Sequence, residues 1–152
     1  MRKYDHFIFD FDGTLSDSYP SFFKAGRAVA DQFGVSVTDE YIRETLKWKT
    51  AVCFFESLNL GDKQQEAHDS FNVIKRGLLR EEATPLEGAV ELLERICRAG
   101  GVCYIYSHSG EIVMDQCKKW GLDCSFILAY IAYTARVNGR TEETFRWRIT
   151  GG

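Results

Sequence analysis

The sequence has no long apolar run and no strong excess of charge of either sign. Its apolar runs fall far short of the roughly 20 residues that span a bilayer, and no apolar stretch of the signal-peptide kind follows the charged start, Met-Arg-Lys-Tyr-Asp-His. The 19 basic residues nearly balance the 22 acidic ones, for a net charge of −3. The sequence therefore lacks the excess of positive charge that binding to nucleic acid or to an acidic membrane requires. We therefore expect a cytoplasmic protein with neither a nucleic acid nor a membrane as its partner.

The five cysteines form no Cys-x-x-Cys pair; they are Cys53, Cys97, Cys103, Cys117 and Cys124. Zinc-ligand spacing is therefore absent, and an odd set of this kind argues against a disulfide scaffold. All except Cys124 lie within apolar helical or strand patterns, which predicts small buried side chains.

The chain is long enough, and apolar enough, to form a hydrophobic core. Its 152 residues suffice for one domain, or for one compact core with a small insertion. Apolar residues make up 45% of the sequence and aromatic residues 14%, a composition that excludes global disorder and supports a sizeable buried core.

Strand and helix patterns alternate along much of the chain. Residues 4–10 predict a short buried strand that ends at acidic residues, and residues 102–106 and 126–131 predict two further strands. An amphipathic helical stripe covers residues 89–97, before the second strand, and another helix follows it. This order predicts parallel βαβ units with right-handed crossovers.

The first strand is separated from this run by a long, mostly helical stretch. Thr38 is predicted to cap one of its helices, with Tyr41 as the third helical residue. The stretch is too long for a single crossover. We therefore expect an α/β fold with a Rossmann-like parallel sheet, formed by residues 1–15 and 84–152, and an α-helical cap inserted as residues 16–83.

Two carboxylates two residues apart follow the first strand, in the run Phe-Asp-Phe-Asp-Gly-Thr-Leu at 9–15. The ends of such strands are where open α/β sheets gather ligands. Repulsion between Asp10 and Asp12 favours a bound cation or a shared proton, and one acid could attack an electrophile while the other moves a proton. Gly13 permits the sharp turn, and Thr14 can supply a hydroxyl or a backbone N–H to a ligand.

This run resembles the first motif of the haloacid dehalogenase-like phosphohydrolases. The resemblance implies that Asp10 is a nucleophile that forms an aspartyl-phosphate and that Asp12 is the general acid/base. It also implies a Mg²⁺ ion bound by the Asp10 carboxylate and the Asp12 backbone carbonyl, an all-oxygen environment that suits this metal. Gly13 and Thr14 are predicted to contribute to phosphate binding.

A second motif of that family, a hydrophobic strand that ends in Ser or Thr, resembles residues 102–107. It makes Ser107 the candidate phosphate-binding hydroxyl, next to a helix N-terminus that faces an anion. We interpret Ser109 as an ordinary helix cap. The helical insertion and the return at 84–89 resemble the family's small α-helical cap, which helps to select the substrate. The run Tyr-Ile-Tyr-Ser-His at 104–108 resembles the cap-bearing branch of phosphoglycolate phosphatase and β-phosphoglucomutase relatives.

The family's third and fourth motifs, a lysine and a late acidic pair, have no match in the sequence. The last lysine is Lys119 and the last aspartate is Asp123. We expect Arg136 or Arg140 to stand in for the lysine's charge, with Arg140 as a phosphate-binding candidate. Glu142 and Glu143 are predicted to lie on a terminal helix, a poor position for metal ligands.

The expected activity is Mg²⁺-dependent hydrolysis of a small phosphomonoester. Two alternatives stay open: a catalytically impaired relative that binds a phospho-ligand or another protein, and a β-phosphoglucomutase-like phosphotransferase. A shortened sheet would also leave an open edge, and such an edge favours pairing with a second copy in a homodimer.

Overall fold

In the part of the chain that the structure describes, four strands form one sheet, in the order β1-β2-β3-β4. The computed structural model describes residues 4–107, 109, 111–122, 127–137 and 140–147, the last two ranges as backbone only. The strands are β1 (His6–Asp10), β2 (Val102–Ser107), β3 (Ile127–Val137) and β4 (Arg140–Trp147). The helices are α1 (Tyr19–Gln32), α2 (Asp39–Trp48), α3 (Ala51–Ser57), α4 (Gln64–Glu82), α5 (Ala89–Arg98) and α6 (Glu111–Lys119), with a 3₁₀ turn at Gly61–Lys63.

The first three strands are parallel neighbours. Strand β1 pairs with β2, and β2 pairs with β3, with α5 and α6 in the two segments that precede β2 and β3. The predicted α/β fold with a parallel sheet is confirmed. Because parallel strands end at the same side of a sheet, the residues that follow β1 and β2 meet at one place.

The fourth strand corrects the prediction for the end of the chain. Strand β3 continues to Val137 instead of ending at residue 131, and β4 returns antiparallel to it, with Val137 paired to Arg140. Glu142 and Glu143 lie on this strand and not on a helix. The physical reason is visible in the sequence, since an Asn-Gly pair between two runs rich in β-branched and aromatic residues favours a hairpin.

The chain divides into two compact units, each with its own core. The sheet unit consists of residues 1–17 and 84–152, and the helical unit of residues 18–83. The sheet unit's buried cluster joins the loop after β1 to α5, β2 and α6; it comprises Phe11, Leu15, Ala89, Leu93, Cys103, Ile105, Val113, Cys117 and Leu122. The helical unit's cluster comprises Ala25, Val29, Ile42, Leu46, Phe54, Phe55, Leu58, Ala67 and Phe71.

Side-chain caps define the starts of two helices in the helical unit. The Thr38 hydroxyl accepts a hydrogen bond from the Tyr41 N–H at 3.1 Å, so the predicted cap of α2 is confirmed. Thr50 caps α3 in the same way, through the Cys53 N–H at 3.2 Å. Each cap satisfies one of the N–H groups that the first helical turn leaves without an intrahelical partner.

The cysteines are less uniform than the sequence indicates. Cys103 and Cys117 are buried, as predicted, and Cys97 is half-buried, whereas Cys53 is exposed. The prediction for Cys53 is wrong because α3 buries the next two residues, Phe54 and Phe55. Burial raises the pKa of the Cys103 thiol to about 12, with nearby Cys97 adding to the effect, while hydrogen bonds with Thr50 lower the pKa of Cys53. Cys124 lies outside the described residues.

Among the described residues, none of the helices combines the length and the apolar character needed to cross a membrane.

Candidate active site

The loop after β1 folds around one buried aromatic residue. Phe11 is buried in the core of the sheet unit, and its carbonyl accepts hydrogen bonds from the N–H groups of Thr14, Leu15 and Ser16 at 2.9–3.3 Å. Gly13 has a φ of +77°, in the left-handed region that glycine tolerates best. Its N–H donates to the Ser16 carbonyl at 2.8 Å. The turn is therefore fixed by its own backbone.

This turn separates the environments of the two aspartates. Asp10 is the last residue of β1 and is exposed, whereas Asp12 is half-buried. The carboxylate of Asp10 is therefore accessible to solvent and ligands, whereas the protein partly encloses that of Asp12. Such a difference in environment allows neighbouring acids to take different chemical roles.

Two serines at the end of β2 contact Asp12. The Ser109 hydroxyl donates a hydrogen bond to Asp12 Oδ2 at 2.5 Å, and the Ser107 hydroxyl lies 3.5 Å from the same oxygen. The Ser109 N–H in turn donates to the Ser107 hydroxyl oxygen at 3.0 Å. Hydrogen bonds therefore hold one carboxylate oxygen of Asp12 at the end of β2, the strand next to β1.

The other carboxylate oxygen of Asp12 has no such contact. Asp12 Oδ1 is buried and finds no hydrogen-bond partner among the described residues. Leaving a buried carboxylate oxygen unpaired costs free energy, so a partner from outside this part of the chain is favoured here. A water molecule or a ligand hydroxyl would fit.

A further hydrogen bond fixes the loop to α6. The Ser16 hydroxyl donates to Gln116 Oε1 at 3.2 Å, and both residues are buried. No local sequence pattern predicts this pair, because the two residues are 100 positions apart.

The predicted phosphate-binding residues differ in what they offer. Ser107 is at the site but is only 1% exposed. The backbone N–H groups of Gly13 and Thr14 are already used within the turn, which leaves the exposed Thr14 side chain as the group free to meet a ligand. The interpretation of Ser109 as a simple cap omits its contact with Asp12. The Ser-x-Ser spacing at the strand end is the signal that could have indicated it.

The structure does not bring Arg140 to these residues. Ser107, at the end of β2, pairs with Ile131, whereas Arg140 pairs with Val137, six residues farther along β3. At ~3.3 Å per residue, that position is about 20 Å along the strand from the level of Ser107. Arg136 pairs with Thr141 in the same hairpin.

A metal site here would rest on few protein ligands. The described residues contain no group of three or more His, Cys, Asp or Glu side chains that could hold a metal ion. Asp10 offers an exposed carboxylate at the strand end, and the turn offers backbone carbonyls, so the donors are all oxygen. That set fits Mg²⁺, which is bound through one or two carboxylates together with waters and substrate phosphate oxygens.

The parallel sheet, the acidic turn after β1 and the serines after β2 define an α/β protein with a carboxylate site at its strand ends. A family model, that of the haloacid dehalogenase-like hydrolases, matches residues 7–138. The chain belongs to this family, as its motifs indicate. It is therefore related to hydrolases.

Several solved structures share the fold. A haloacid dehalogenase-like hydrolase from Streptococcus pneumoniae is 21% identical, with a TM-score of 0.71 over 85% of this chain and 62% of its own. A hydrolase from Pseudomonas syringae is 26% identical, with a TM-score of 0.61 over 82% of this chain and 61% of its own. A subfamily IA hydrolase from Geobacter sulfurreducens is 17% identical, with a TM-score of 0.60 over 83% of this chain and 62% of its own.

The chain spans less than two thirds of the length of each of these three structures. A search of curated protein sequences gave no match.

Proposed function

We propose that this protein is a Mg²⁺-dependent phosphatase that hydrolyses a small phosphomonoester through an aspartyl-phosphate on Asp10. The observation that carries the proposal is the asymmetric environment of Asp12. One of its oxygens is held by Ser109 and Ser107, and the other is buried and has no partner among the described residues, two residues from the exposed carboxylate of Asp10. Membership of the hydrolase family supports the same reading.

In the first step, the Asp10 carboxylate attacks the phosphorus of the ester. The bond from phosphorus to the ester oxygen breaks as the bond to Asp10 forms, and Asp12 gives its proton to the leaving oxygen. In the second step, Asp12 takes a proton from a water molecule that attacks the same phosphorus. The bond to Asp10 breaks, and inorganic phosphate leaves. Both proton transfers use one carboxyl group, which must therefore stay in place between the steps.

The serines would perform this positioning. A hydrogen bond from Ser109 to Oδ2 would restrict rotation of the Asp12 carboxyl group and leave Oδ1 for the proton transfers. Ser107, buried beside it, would hold a phosphate oxygen or support the same carboxylate. A carboxyl group fixed in this way needs little reorganisation when the transition state forms.

Mg²⁺, when bound by the Asp10 carboxylate and the Asp12 carbonyl, would supply positive charge that offsets the phosphate oxygens. The helical unit, residues 18–83, is the proposed cap. The substrate class is any phosphomonoester small enough for a capped site.

A second candidate function is phosphate-ligand binding without turnover. It is favoured by the absence of a three-residue acidic cluster from the described part of the chain, since a weakly held metal would stabilise the transition state poorly. A phosphotransferase of the mutase type is the third reading, and product analysis distinguishes it from hydrolysis.

The test is release of inorganic phosphate from a panel of small phosphomonoesters, with Mg²⁺ and with a chelator. We expect turnover that requires the metal and that falls at least ~10³-fold in Asp10→Asn, because the amide is a poor nucleophile. Asp62→Asn is the matched control, since it makes the same chemical change at an exposed position in the helical unit, and it should retain wild-type activity.

Three results would contradict the phosphatase proposal. Folded wild-type protein that binds phosphate but turns over nothing would favour the binding function. Transfer of phosphate between sugar positions, with none released, would favour the mutase reading. Equal rates in wild type and Asp10→Asn would remove Asp10 from the mechanism.

A further inference from the structure

Two cysteine sulfurs lie side by side between α5 and β2. Cys97, in the last turn of α5, donates its S–H group to the Sγ atom of Cys103, in β2, at 3.9 Å. Cys103 belongs to the buried cluster of the sheet unit, and Cys97 packs against that cluster. The turn at 99–101 returns the chain from α5 directly into β2, which brings the two thiols together. The candidate active site makes no use of this pair.

The two thiols differ in what can reach them. Cys103 is 0% exposed, whereas Cys97 is half-buried. Burial, with Cys97 adding to the effect, raises the pKa of Cys103 to about 12, so near neutral pH Cys103 carries a thiol and not the thiolate that reacts with oxidants. A dissolved oxidant therefore meets Cys97 first, and Cys103 is the neighbouring thiol that an oxidised Cys97 contacts.

A disulfide bond between the two sulfurs requires a short movement. The Sγ atoms have to approach from 3.9 Å to the ~2.05 Å of a disulfide bond. Because both sulfurs pack against the core, this movement has to displace neighbouring atoms, which opposes the bond. The bond also closes only the short segment 97–103, so it constrains the unfolded chain little. A bond of this kind is easily reduced again, as labile disulfides are.

We propose that Cys97 and Cys103 form a reversible thiol–disulfide site, which is oxidised by a low-molecular-weight disulfide of the glutathione class. In the first step, the Cys97 thiolate attacks one sulfur of the oxidant, the oxidant's S–S bond breaks, and one glutathione leaves as a thiolate. In the second step, the Cys103 sulfur attacks Cys97 Sγ, and its proton goes to the second glutathione as that group leaves. Two cysteine thiols are oxidised, and one disulfide is reduced to two thiols.

The position of Cys103 assists the second step. Its high pKa keeps the thiolate scarce, but its sulfur already lies beside Cys97, and an adjacent reactant has a high effective concentration. The mixed disulfide on Cys97 should therefore be a transient species. The site does not depend on the phosphatase proposal.

Two other cysteines supply controls within the same chain. Cys53 is exposed, and hydrogen bonds with Thr50 lower its pKa, so it should react with the same oxidant. It is the one cysteine in the sequence of residues 18–83, and its reaction should stop at the mixed disulfide. Cys117 is buried in the same core as Cys103, and it should stay a thiol.

The test is exposure of the folded full chain to oxidised glutathione, followed by alkylation of the remaining thiols and peptide mass spectrometry. We expect a peptide pair linked through Cys97 and Cys103 within a single chain, a glutathione adduct on Cys53 and an alkylated Cys117. Excess reduced glutathione should return Cys97 and Cys103 to thiols.

A pair of variants tests the role of the second thiol. Cys103→Ala should keep the glutathione adduct on Cys97 at least ~10-fold longer than wild type does. Cys117→Ala, the same change at another buried cysteine, should form the internal bond like wild type. Circular dichroism checks the folding of both variants, and the map of the wild-type protein is decisive without either of them.

Three results would overturn the proposal. The first is a wild-type protein in which Cys53 reacts and Cys97 stays a thiol. The second is an adduct on Cys97 that persists in wild type as long as in Cys103→Ala. The third is an internal bond that joins Cys97 to Cys117 in place of Cys103.

Discussion

The side chain of Asp12 shows how two neighbouring residues of one motif come to differ. Asp10 and Asp12 have the same chemistry and nearly the same sequence context. The turn around Phe11 leaves Asp10 exposed and brings Asp12 against Ser107 and Ser109. Assignment of the two carboxylates to different roles therefore depends on what packs around each of them.

Ser109 gives the residue-scale prediction. Ser109→Ala removes the hydrogen bond to Asp12 Oδ2, which holds this carboxyl group in place. We expect kcat for phosphomonoester hydrolysis to fall at least ~10-fold with little change in KM, because the loss affects positioning and not substrate binding. Steady-state kinetics on the best substrate of the panel would measure both constants.

Two variants separate this effect from a general one. Ser109→Thr keeps the hydroxyl and should recover most of the activity. Ser57→Ala, which removes a serine that donates to the Phe54 carbonyl in the helical unit, should leave kcat unchanged. A threonine variant as slow as the alanine variant would argue against the positioning role.

At the scale of elements, the contact between α1 and α2 depends on a glycine. A Cβ atom at Gly26 would lie 2.9 Å from Ile42 Cγ2 and 2.9 Å from Leu46 Cδ1, closer than real Cβ contacts allow. Gly77, in α4, has nothing within 4 Å of the same position. The two glycines are both helical, but only Gly26 permits a close approach.

We expect opposite effects on stability from the same substitution at these two positions. Gly26→Ala should lower the free energy of unfolding by about 1–3 kcal/mol, because it overpacks the α1–α2 contact. Gly77→Ala should raise it by up to ~1 kcal/mol, because alanine is the better helix former at an open site. Urea unfolding followed by circular dichroism would measure both. Equal destabilisation by the two variants would show that the close approach is not limiting.

The whole molecule has two cores whose buried residues come from different parts of the chain. Phe71 is 2% exposed in the core of the helical unit, and Leu93 is 1% exposed in the core of the sheet unit. No residue belongs to both described clusters. A substitution that destabilises one core should therefore increase local unfolding first in the unit that contains that core.

Hydrogen exchange followed by mass spectrometry tests this independence. Phe71→Ala, a truncation that typically costs about 3–5 kcal/mol, should accelerate exchange in α1 and α4 more than in β2. Leu93→Ala should do the reverse. Uniform acceleration across both units in either variant would mean that the chain unfolds as one cooperative body.

Much of the fold was predictable, because its signals are local. The strand before Asp10, the cap at Thr38 and the amphipathic α5 each follow from residues close together in the sequence. The Asn-Gly pair indicates the hairpin of β3 and β4, whereas the prediction of a terminal helix for Glu142 and Glu143 is wrong. The boundary of the helical unit, predicted at residue 16, lies at Ser18 in the structure.

The acidic motif, the α/β pattern and the family can be predicted from the sequence alone, because each depends on residue types at short, fixed spacings. The contacts of Ser109 with Asp12 and of Ser16 with Gln116 depend on the tertiary structure. The two contacts join residues 97 and 100 positions apart. The order of strands and the packing of loops fix such contacts, and no local pattern encodes either of them.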